Sequence, residues 1–241
     1  MSEASGVFEI TMNAPRKNAL GSEMMAWLRA RLVEAAGRPV LLTGSGDAFS
    51  AGLDLREVAA LDEASAPPFL AALETTMCAL YQYPGPTVAH VNGHAIAGGC
   101  VLALCCDHRV ADASTRARIG LNEVALGVRF PPRIFEIVRR RVPAPRVEEV
   151  LLGAGLYRVA DAASAGLIDV AAEDAGALAR ARVAALAALP RDAYAAHKAD
   201  LRGRVEQDLV PDAAEARWMA ENARVWTSPE VKAKVLAVLS R

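Results

Sequence analysis

Three short segments hold the residues that could do chemistry, and they lie far apart in the chain. Two glycines bracket the end of an apolar run in GDAFSAGLDL, residues 46–55. Gly98 and Gly99 open an apolar stretch that has no acid, base or nucleophile in its first turn. Glu123 lies in the mostly apolar segment ARIGLNEVALGV, residues 117–128. The glycines predict backbone N–H groups that a ligand can approach, and Glu123 predicts a carboxyl group for proton transfer.

Each segment taken alone also has a purely structural explanation. A glycine that ends a strand is usually part of a turn, and a glycine pair at the start of a helix also permits close packing. A loop carboxylate is usually solvated. At a helix start, the glycine pair would let a ligand approach backbone N–H groups, where the helix dipole favours negative charge, but close packing alone also explains it.

The elements that must position these segments alternate between short strands and helices. The sequence predicts strands at residues 7–12, 39–44, 87–91 and 108–112. Between the first two strands, Met25, Leu28 and Leu32 recur at helical spacing, and Gly37 is expected to close that helix. The sequence therefore predicts repeated strand-then-helix units.

From about residue 188 the chain predicts alanine-rich helices. The last of them begins with Ser228 as a cap and Pro229 in the first turn. Its apolar residues form one stripe, made of Val231, Val235, Val238 and Leu239. We expect this stripe to pack on its own domain or on a neighbouring subunit.

The charge balance argues against nucleic acid and membrane surfaces as partners. The 241 residues include 27 Lys and Arg against 28 Asp and Glu, which gives a net charge of -1. No apolar run reaches the ~18 residues that span a bilayer, and the first residues lack the features of a signal peptide. With 53% hydrophobic residues, we expect one soluble, cytoplasmic globular domain with a large core.

The histidine and cysteine residues do not follow the pattern of a metal site. His90 and His94 are four residues apart, but the Asn92-Gly93 pair between them interrupts a helix. Three of the four cysteines lie in the most apolar stretch, without the spacing of a zinc site or a disulfide framework: Cys100, Cys105 and Cys106. We expect structural histidines, reduced core cysteines and no bound metal.

Four segments together resemble the crotonase family, also called the enoyl-CoA hydratase/isomerase family. They are PRKNAL (15–20), FSAGLDL (49–55), VNGHAIAGGCVLALCCDHRVA (91–111) and IGLNEVALGV (119–128). The resemblance is specific because four separate segments match in order and spacing, whereas a chance glycine pair would match only once. It implies an α/β fold, with a spiral of strand-strand-helix (ββα) units over residues 1–187. A C-terminal helical trimerisation region would follow over residues 188–241, in a homotrimer or a dimer of trimers.

The resemblance also implies a substrate and the groups that bind it. The substrate would be an acyl-CoA thioester, with no metal or redox cofactor, since coenzyme A is part of the substrate. The thioester oxygen would accept hydrogen bonds from the backbone N–H groups of Leu53 and Gly98, which form an oxyanion hole. The implied substrate-binding residues are Lys17, Ala51, Leu53, Asp54, Leu55 and Gly98. Arg16 and Lys17 are candidates for the phosphates of coenzyme A, although a solvated loop explains them equally well.

The carboxylates make the resemblance selective for one reaction. Hydratases of the family carry a glutamate three residues after the glycine that matches Gly98, and this chain has Val101 there. Hydration needs one group to hold water and another to deliver a proton, whereas one carboxylate is enough to move a double bond. The chain therefore resembles the single-glutamate Δ3,Δ2-enoyl-CoA isomerases, with Glu123 as base and then acid. Its apolar neighbours, Ile119, Leu121, Val124 and Leu126, are expected to raise its pKa by desolvation.

Other functions remain open at this stage. The same enolate would serve an enoyl-CoA hydratase, a decarboxylase or a thioester hydrolase. A catalytically silent acyl-CoA-binding scaffold is the alternative from another class, although a binding module would not need the Glu123 carboxylate. The segment VRFPPRIF, residues 128–135, departs from the proline-glycine-glycine stretch of hydratases. The resemblance therefore does not predict which residues form the wall of the acyl pocket.

Overall fold

The computed structural model describes residues 6–203 and 212–240. The strands in these ranges are β1 (Phe8–Met12), β2 (Val40–Gly44), β3 (Ala48–Ser50), β4 (Thr87–Val91), β5 (His94–Ile96), β6 (His108–Asp112), β7 (Ile119–Gly120), β8 (Leu156–Tyr157) and β9 (Val170–Ala172).

The helices of the first two thirds of the chain are α1 (Pro15–Asn18), α2 (Ser22–Ala35), α3 (Leu55–Ala60), α4 (Ala66–Tyr81), α5 (Gly98–Cys105), α6 (Glu123–Leu126), α7 (Pro132–Arg141), α8 (Val147–Gly153) and α9 (Val159–Ser164). The remaining helices are α10 (Ala175–Ala187), α11 (Arg191–Arg202), α12 (Asp212–Trp226) and α13 (Pro229–Leu239).

Successive units of the chain each give one strand to each of two sheets. The five-stranded sheet has the order β1-β2-β4-β6-β9, and the four-stranded sheet has the order β3-β5-β7-β8. Every neighbouring pair is parallel except β7 and β8. The unit of two strands and a helix therefore repeats as β2-β3-α3, β4-β5-α5 and β6-β7-α6, which is the predicted spiral.

This topology brings the three chemistry-bearing segments to one place. Leu53 follows β3, Gly98 follows β5 and Glu123 follows β7. The three strands are neighbours in the four-stranded sheet and run in the same direction. Because the carboxyl ends of parallel strands meet at the same edge of a sheet, the three segments converge there.

The four predicted strands are confirmed, and each starts within one residue of the predicted position. The first long helix is confirmed as well. Met25, Leu28 and Leu32 form the buried face of α2. The end of α2 differs slightly from the expectation, because Ala36 adopts the left-handed cap conformation at φ 50°. Gly37 follows with φ 77°, so the turn uses two consecutive residues with positive φ.

The C-terminal helices pack on the body of the same chain. In α11, the buried Lys198 and Arg202 both pair with Asp107, at 2.8 and 2.9 Å. The Tyr194 hydroxyl donates a further hydrogen bond to Asp107 at 2.7 Å. Burial lowers the pKa of Lys198 to about 8. These contacts attach α11 to the end of α5, and the proposed role of residues 188–241 in trimerisation stays a prediction.

Candidate active site

A cavity of about 720 Å³ opens where the three segments converge. Its polar end is formed by the residues after β3, β5 and β7, including Leu53, Gly98 and Glu123. Ala51, Leu55 and Lys17 also line it. Its other walls come from α4, α7 and the two last helices, and they are apolar. The cavity therefore combines a small polar region with a long apolar one, which suits an amphiphilic ligand.

Two backbone N–H groups lie next to each other at the polar end. Within the described residues, neither the Leu53 N–H nor the Gly98 N–H has a hydrogen-bond partner. The two loops are in contact, because a Cβ added to Gly52 would lie only 3.5 Å from the Gly98 nitrogen. Gly98 is the first residue of α5, where helix N–H groups have no partner within the helix. This pair of donors can stabilise an oxygen that gains negative charge.

The glycines of the pair have different structural roles. A Cβ on Gly99 would overlap the Ser50 carbonyl oxygen and lie 2.8 Å from the Ser50 carbonyl carbon. Close packing of α5 on β3 therefore requires Gly99. A Cβ on Gly98 would meet only ordinary contacts, with Leu20 Cδ1 at 3.4 Å as the nearest atom. Packing does not explain Gly98, whereas access of a ligand to its N–H does.

Ala97 fixes the direction of the Gly98 N–H, and reasoning from the sequence missed this residue. Its backbone has φ 50° and ψ -120°, a strained conformation for a residue with a Cβ. Two hydrogen bonds hold it, from Ala97 N to Gly120 O at 2.8 Å and from Val101 N to Ala97 O at 3.0 Å. The peptide group between Ala97 and Gly98 is therefore held from β7 and from α5.

Glu123 is a buried carboxyl group in apolar surroundings. Its side chain lines the cavity, and the residue is 7% exposed. Among the residues that the structure describes, its Oε2 atom has no hydrogen-bond partner. Burial raises the pKa of Glu123 to about 8, which confirms the expected direction and cause. One neighbour is not as predicted, since Val124 is 53% exposed and faces away from the core.

Val101 lines the same cavity from α5. Its side chain is buried, one turn after Gly98. The described part of the cavity wall has Glu123 as its one carboxylate. The position where hydratases of the family carry a second carboxylate is therefore occupied by a hydrocarbon side chain.

Arg16 and Lys17 lie at the polar end, but each has a carboxylate partner. Lys17 pairs with Asp47 at 2.7 Å, and Arg16 forms an ion pair with Asp54. The backbone at both positions is left-handed, with φ 57° and 60°. Asp54 differs from the expected substrate contact, because it is absent from the described cavity wall. Its carboxylate instead accepts a hydrogen bond from the Arg56 N–H and so caps α3.

The apolar walls come from segments that are distant in the sequence. The region 128–135 contributes Val128, Phe130, Pro131 and Ile134. The stripe on α13 lines the cavity with Val231, Val235, Val238 and Leu239, beside Trp226 at the end of α12. The sequence predicted the stripe and the Ser228 cap, whose side chain accepts from Val231 N. It did not predict that the stripe would form a wall of the candidate site.

A second buried carboxyl group lies behind the cavity wall. Glu74 on α4 is 1% exposed and accepts a hydrogen bond from the Arg133 N–H at 2.7 Å. Glu215 on α12 lies beside it and pairs with the Arg133 side chain at 2.6 Å. Burial, followed by the hydrogen bond to Glu215, raises the pKa of Glu74 to about 7. This pair joins α4, α7 and α12, and the described cavity wall does not include it.

The remaining histidine and cysteine residues have structural surroundings. His94 Nδ1 accepts a hydrogen bond from the Arg118 N–H at 3.1 Å, and His90 lies against Thr43. All four cysteines are buried, and Cys100, Cys105 and Cys106 form no disulfide, as predicted. The described ranges contain no group of three or more His, Cys, Asp and Glu residues placed to hold a metal ion. In the same ranges, no helix is both long and apolar enough to cross a bilayer.

Comparison with known proteins identifies the family of the chain. The family model for enoyl-CoA hydratase/isomerase matches residues 2–230. A Mycobacterium tuberculosis protein named "Probable enoyl-CoA hydratase EchA14" is 31% identical over 96% of this chain and 93% of its own. Human mitochondrial enoyl-CoA delta isomerase 1 is 30% identical over 86% of this chain and 70% of its own.

Solved structures show the same fold. The crystal structure of human mitochondrial Δ3,Δ2-enoyl-CoA isomerase superposes with a TM-score of 0.89 at 27% identity, covering 98% of this chain and 94% of that one. An enoyl-CoA hydratase from Bacillus halodurans shares the fold with a TM-score of 0.83 at 22% identity, with 98% of each chain covered.

The chain belongs to the enoyl-CoA hydratase/isomerase family, and it has the crotonase fold. The members of this family that it matches are named for reactions of acyl-CoA thioesters, and both hydratases and isomerases are among them.

Proposed function

We propose that the protein moves the double bond of a 3-enoyl-CoA to give the trans-2-enoyl-CoA. One observation carries this proposal: Glu123 is the one carboxylate in the described cavity wall, with Val101 at the hydratase position. The resemblance of the whole chain to the human isomerase supports the same reaction. The substrate carries its own coenzyme A, and the proposed reaction needs no metal or redox cofactor.

The proposed reaction has two proton transfers. Glu123 first takes a proton from C2, and the C2–H electron pair moves into the thioester, whose oxygen becomes an enolate. The N–H groups of Leu53 and Gly98 donate hydrogen bonds to that oxygen. Glu123 then returns the proton to C4, and the double bond between C3 and C4 becomes one between C2 and C3. One carboxyl group is enough because it acts as base and then as acid on the same face.

The surroundings of Glu123 suit this role. A base for an acidic C–H group works best with a pKa near the working pH, and burial gives Glu123 a pKa of about 8. Lys17, Ala51 and Leu55 are proposed to contact the substrate next to the oxyanion hole, and Asp54 is proposed to act through Arg16. The apolar walls would hold the acyl chain.

The test compares two substrates and one isosteric variant. Wild-type protein is expected to isomerise a 3-enoyl-CoA much faster than it hydrates a 2-enoyl-CoA. Glu123→Gln is expected to keep the fold and acyl-CoA affinity and to lower isomerase turnover at least about a hundredfold, the scale of a lost general base. Near-normal turnover in Glu123→Gln would remove this residue from the mechanism.

Hydratase activity is the second candidate, because a relative that covers nearly the whole chain is named as a hydratase. Hydration of 2-enoyl-CoA as fast as isomerisation of 3-enoyl-CoA would favour it. Decarboxylation or thioester hydrolysis would be detected as release of carbon dioxide or free coenzyme A from the corresponding thioesters. Binding without turnover of any of these would support a silent scaffold.

We further propose that the protein works in the cytoplasm as a homotrimer or a dimer of trimers, assembled through residues 188–241. The support is the family resemblance and the helical character of α11, α12 and α13. Sedimentation equilibrium of the whole chain tests the assembly, and a monomer would contradict it.

A further inference from the structure

The two ends of the buried helix α5 act on the oxyanion hole in opposite ways. Gly98 at the start of the helix offers an N–H group to an oxygen that gains negative charge. The carbonyl groups at the other end carry a partial negative charge of about half an electron, which repels such an oxygen. Because all eight residues of α5 are buried, solvent screens this repulsion only weakly. A positive charge at the far end of α5 would therefore favour the oxyanion.

Arg141 brings a positive charge to that end. It is the last residue of α7, and its side chain reaches across to α5. Its Nε atom donates a hydrogen bond to the Leu104 carbonyl oxygen at 2.9 Å. Its Nη2 atom donates to the Cys106 carbonyl oxygen at 2.8 Å and to the Asp107 carbonyl oxygen at 3.2 Å. The guanidinium group therefore lies directly on the negative end of α5.

The positive charge of Arg141 is not balanced by an ion pair within the described residues. The Asp107 carboxylate pairs with two cations of α11, and the Asp169 carboxylate pairs with Arg109. Burial, followed by repulsion from Arg109 and Arg202, lowers the pKa of Arg141. A guanidinium group stays protonated in proteins all the same. The far end of α5 is therefore more positive than capping of its carbonyl groups requires.

We propose that Arg141 stabilises the enolate oxygen as a fixed positive charge at the far end of α5. It is absent from the described cavity wall, so it is a positioning residue that acts through the helix. The eight residues of α5 rise about 1.5 Å each, which places the charge about 12–15 Å from the Gly98 N–H. At an effective dielectric constant of about 20, one charge at this distance changes an ionisation constant about sixfold to tenfold. This role rests on the proposed function, because it needs an oxygen that becomes negative in the oxyanion hole.

The hydrogen bonds of Arg141 alone would give it a purely structural role as the cap of α5. Two substitutions separate its charge from its hydrogen bonds. Arg141→Gln removes the charge but keeps an N–H donor, whereas Arg141→Lys keeps the charge with fewer donors. Arg139→Gln is the matched control, because Arg139 is exposed on the same helix and pairs with Glu136 at the surface.

The first test measures an enolate directly and needs no turnover. Bound acetoacetyl-CoA loses its C2 proton to the buffer, and the C2–H electron pair is shared by its two carbonyl oxygens, one of which is the thioester oxygen. The enolate absorbs in the near ultraviolet, so a pH titration of the bound ligand gives its ionisation constant. Every variant is made in the Glu123→Gln background, so that the Glu123 carboxyl group does not titrate.

Arg141→Gln is expected to lower this ionisation constant about sixfold to tenfold. Arg141→Lys and Arg139→Gln should stay within about twofold of the background protein, because the charge on α5 is kept. Affinity for butyryl-CoA, a thioester without the second carbonyl group, should be the same in all variants. This affinity shows that the site is intact.

The second test follows isomerisation of a 3-enoyl-CoA with Glu123 present. Arg141→Gln should lower kcat about sixfold to tenfold and change KM less than about twofold, because the charge acts on the enolate and not on the neutral substrate. Arg141→Lys should restore kcat. Loss of a structural cap would instead lower stability in both variants without this split between kcat and KM.

A second pair of variants decides the question if Arg141→Gln does not fold. Leu201 is 77% exposed and lines a cleft of about 750 Å³ that Arg141 also lines. Leu201→Glu and Leu201→Gln should both fold, and they differ by one negative charge in this cleft. The glutamate is expected to lower the ionisation constant of bound acetoacetyl-CoA at least about twofold relative to the glutamine, a smaller effect because solvent screens the cleft. Equal constants in this pair would overturn the proposal.

The outcomes separate the role of Arg141 from the proposed function. If wild-type protein does not isomerise 3-enoyl-CoA, the proposed function fails, and the acetoacetyl-CoA titration still decides the role of Arg141. An unchanged ionisation constant in folded Arg141→Gln would overturn this role and leave the proposed function standing. A loss in Arg141→Gln that Arg141→Lys does not restore would also overturn it, because the hydrogen bonds would then be the cause. Failure of the protein to bind either thioester would overturn both proposals.

Discussion

Replacing each glycine of the Gly98-Gly99 pair by alanine separates ligand access from packing. Neither glycine has a positive φ, so alanine is compatible with the backbone at both positions. The surrounding space differs, because a methyl group fits at Gly98 but overlaps the Ser50 carbonyl group at Gly99. The two variants are therefore expected to fail in different ways.

Gly98→Ala is expected to fold normally and to lose activity. The nearest atoms to the new Cβ would be Leu20 Cδ1 at 3.4 Å and Leu53 Cδ2 at 3.6 Å, both in flexible side chains. Alanine also favours helix over glycine by up to about 1 kcal/mol, so stability should stay within about 1 kcal/mol of wild type. The methyl group would stand beside the N–H that a thioester oxygen must approach. Alanine keeps the N–H itself, so the expected loss comes from blocked access. If the thioester oxygen can no longer reach this donor, turnover falls about 10²- to 10³-fold.

Gly99→Ala is expected to lose stability first. The overlap is with backbone of β3, which cannot rotate away as a side chain can. Overpacking of this kind costs about 1–3 kcal/mol, which for a chain of this size lowers the Tm by roughly 2–12 °C.

Thermal unfolding and isomerisation of a 3-enoyl-CoA are measured for both variants. Wild-type activity in Gly98→Ala would refute the assignment of its N–H to the oxyanion hole. Wild-type stability in Gly99→Ala would refute the packing explanation.

Three further predictions concern the buried carboxyl groups and the second carboxylate position. Because Glu123 must be ionised to act as a base and its pKa is about 8, turnover should rise nearly tenfold per pH unit from pH 6 to 7.5 and level off above pH 8; a flat profile would contradict this assignment. Val101→Glu should bring measurable hydration of a short 2-enoyl-CoA, at a cost of about 3 kcal/mol for burying the carboxyl group; a folded variant that binds substrate without hydrating it would show that position 101 is unable to hold water. Glu74 has an ordinary pKa of 4.5 and a folded pKa of about 7, so it binds its proton more tightly in the folded state, and stability should fall as the pH rises between these values. Glu74→Gln should therefore raise the free energy of unfolding in urea by at most about 3 kcal/mol at pH 8 and by much less at pH 5. The control variant Glu148→Gln, at an exposed position, should leave the free energy of unfolding unchanged at both pH values. An equal gain for Glu74→Gln at both pH values would contradict the expected pH dependence.

The sequence was sufficient for the local elements and for the family. The four predicted strands and α2 follow from apolar periodicity, which depends only on neighbours along the chain. The order of the glycine-rich segments and the GLNE segment pointed to the crotonase family, and the family model confirmed it. Desolvation of Glu123 was also predictable, because the residues around it in the sequence are apolar.

Other features depend on residues that meet only in the folded chain. The α13 stripe reads as a packing face in sequence, and it became a cavity wall because α13 lies against α3 and α6. Glu74 looks like an ordinary helical acid until α12 brings Glu215 beside it.

The Gly98-Gly99 pair shows, for single residues, the same difference between what the sequence predicts and what the tertiary structure decides. Sequence alone suggested that Gly98 and Gly99 serve one purpose, either access or packing. Only the tertiary structure separated their roles, because the Ser50 carbonyl group lies against Gly99, whereas the space beside Gly98 would accept a methyl group. The sequence determined which groups the chain carries and which elements they follow. The fold decided which of those groups meet, because contacts between distant segments depend on how the two sheets and the last helices pack together.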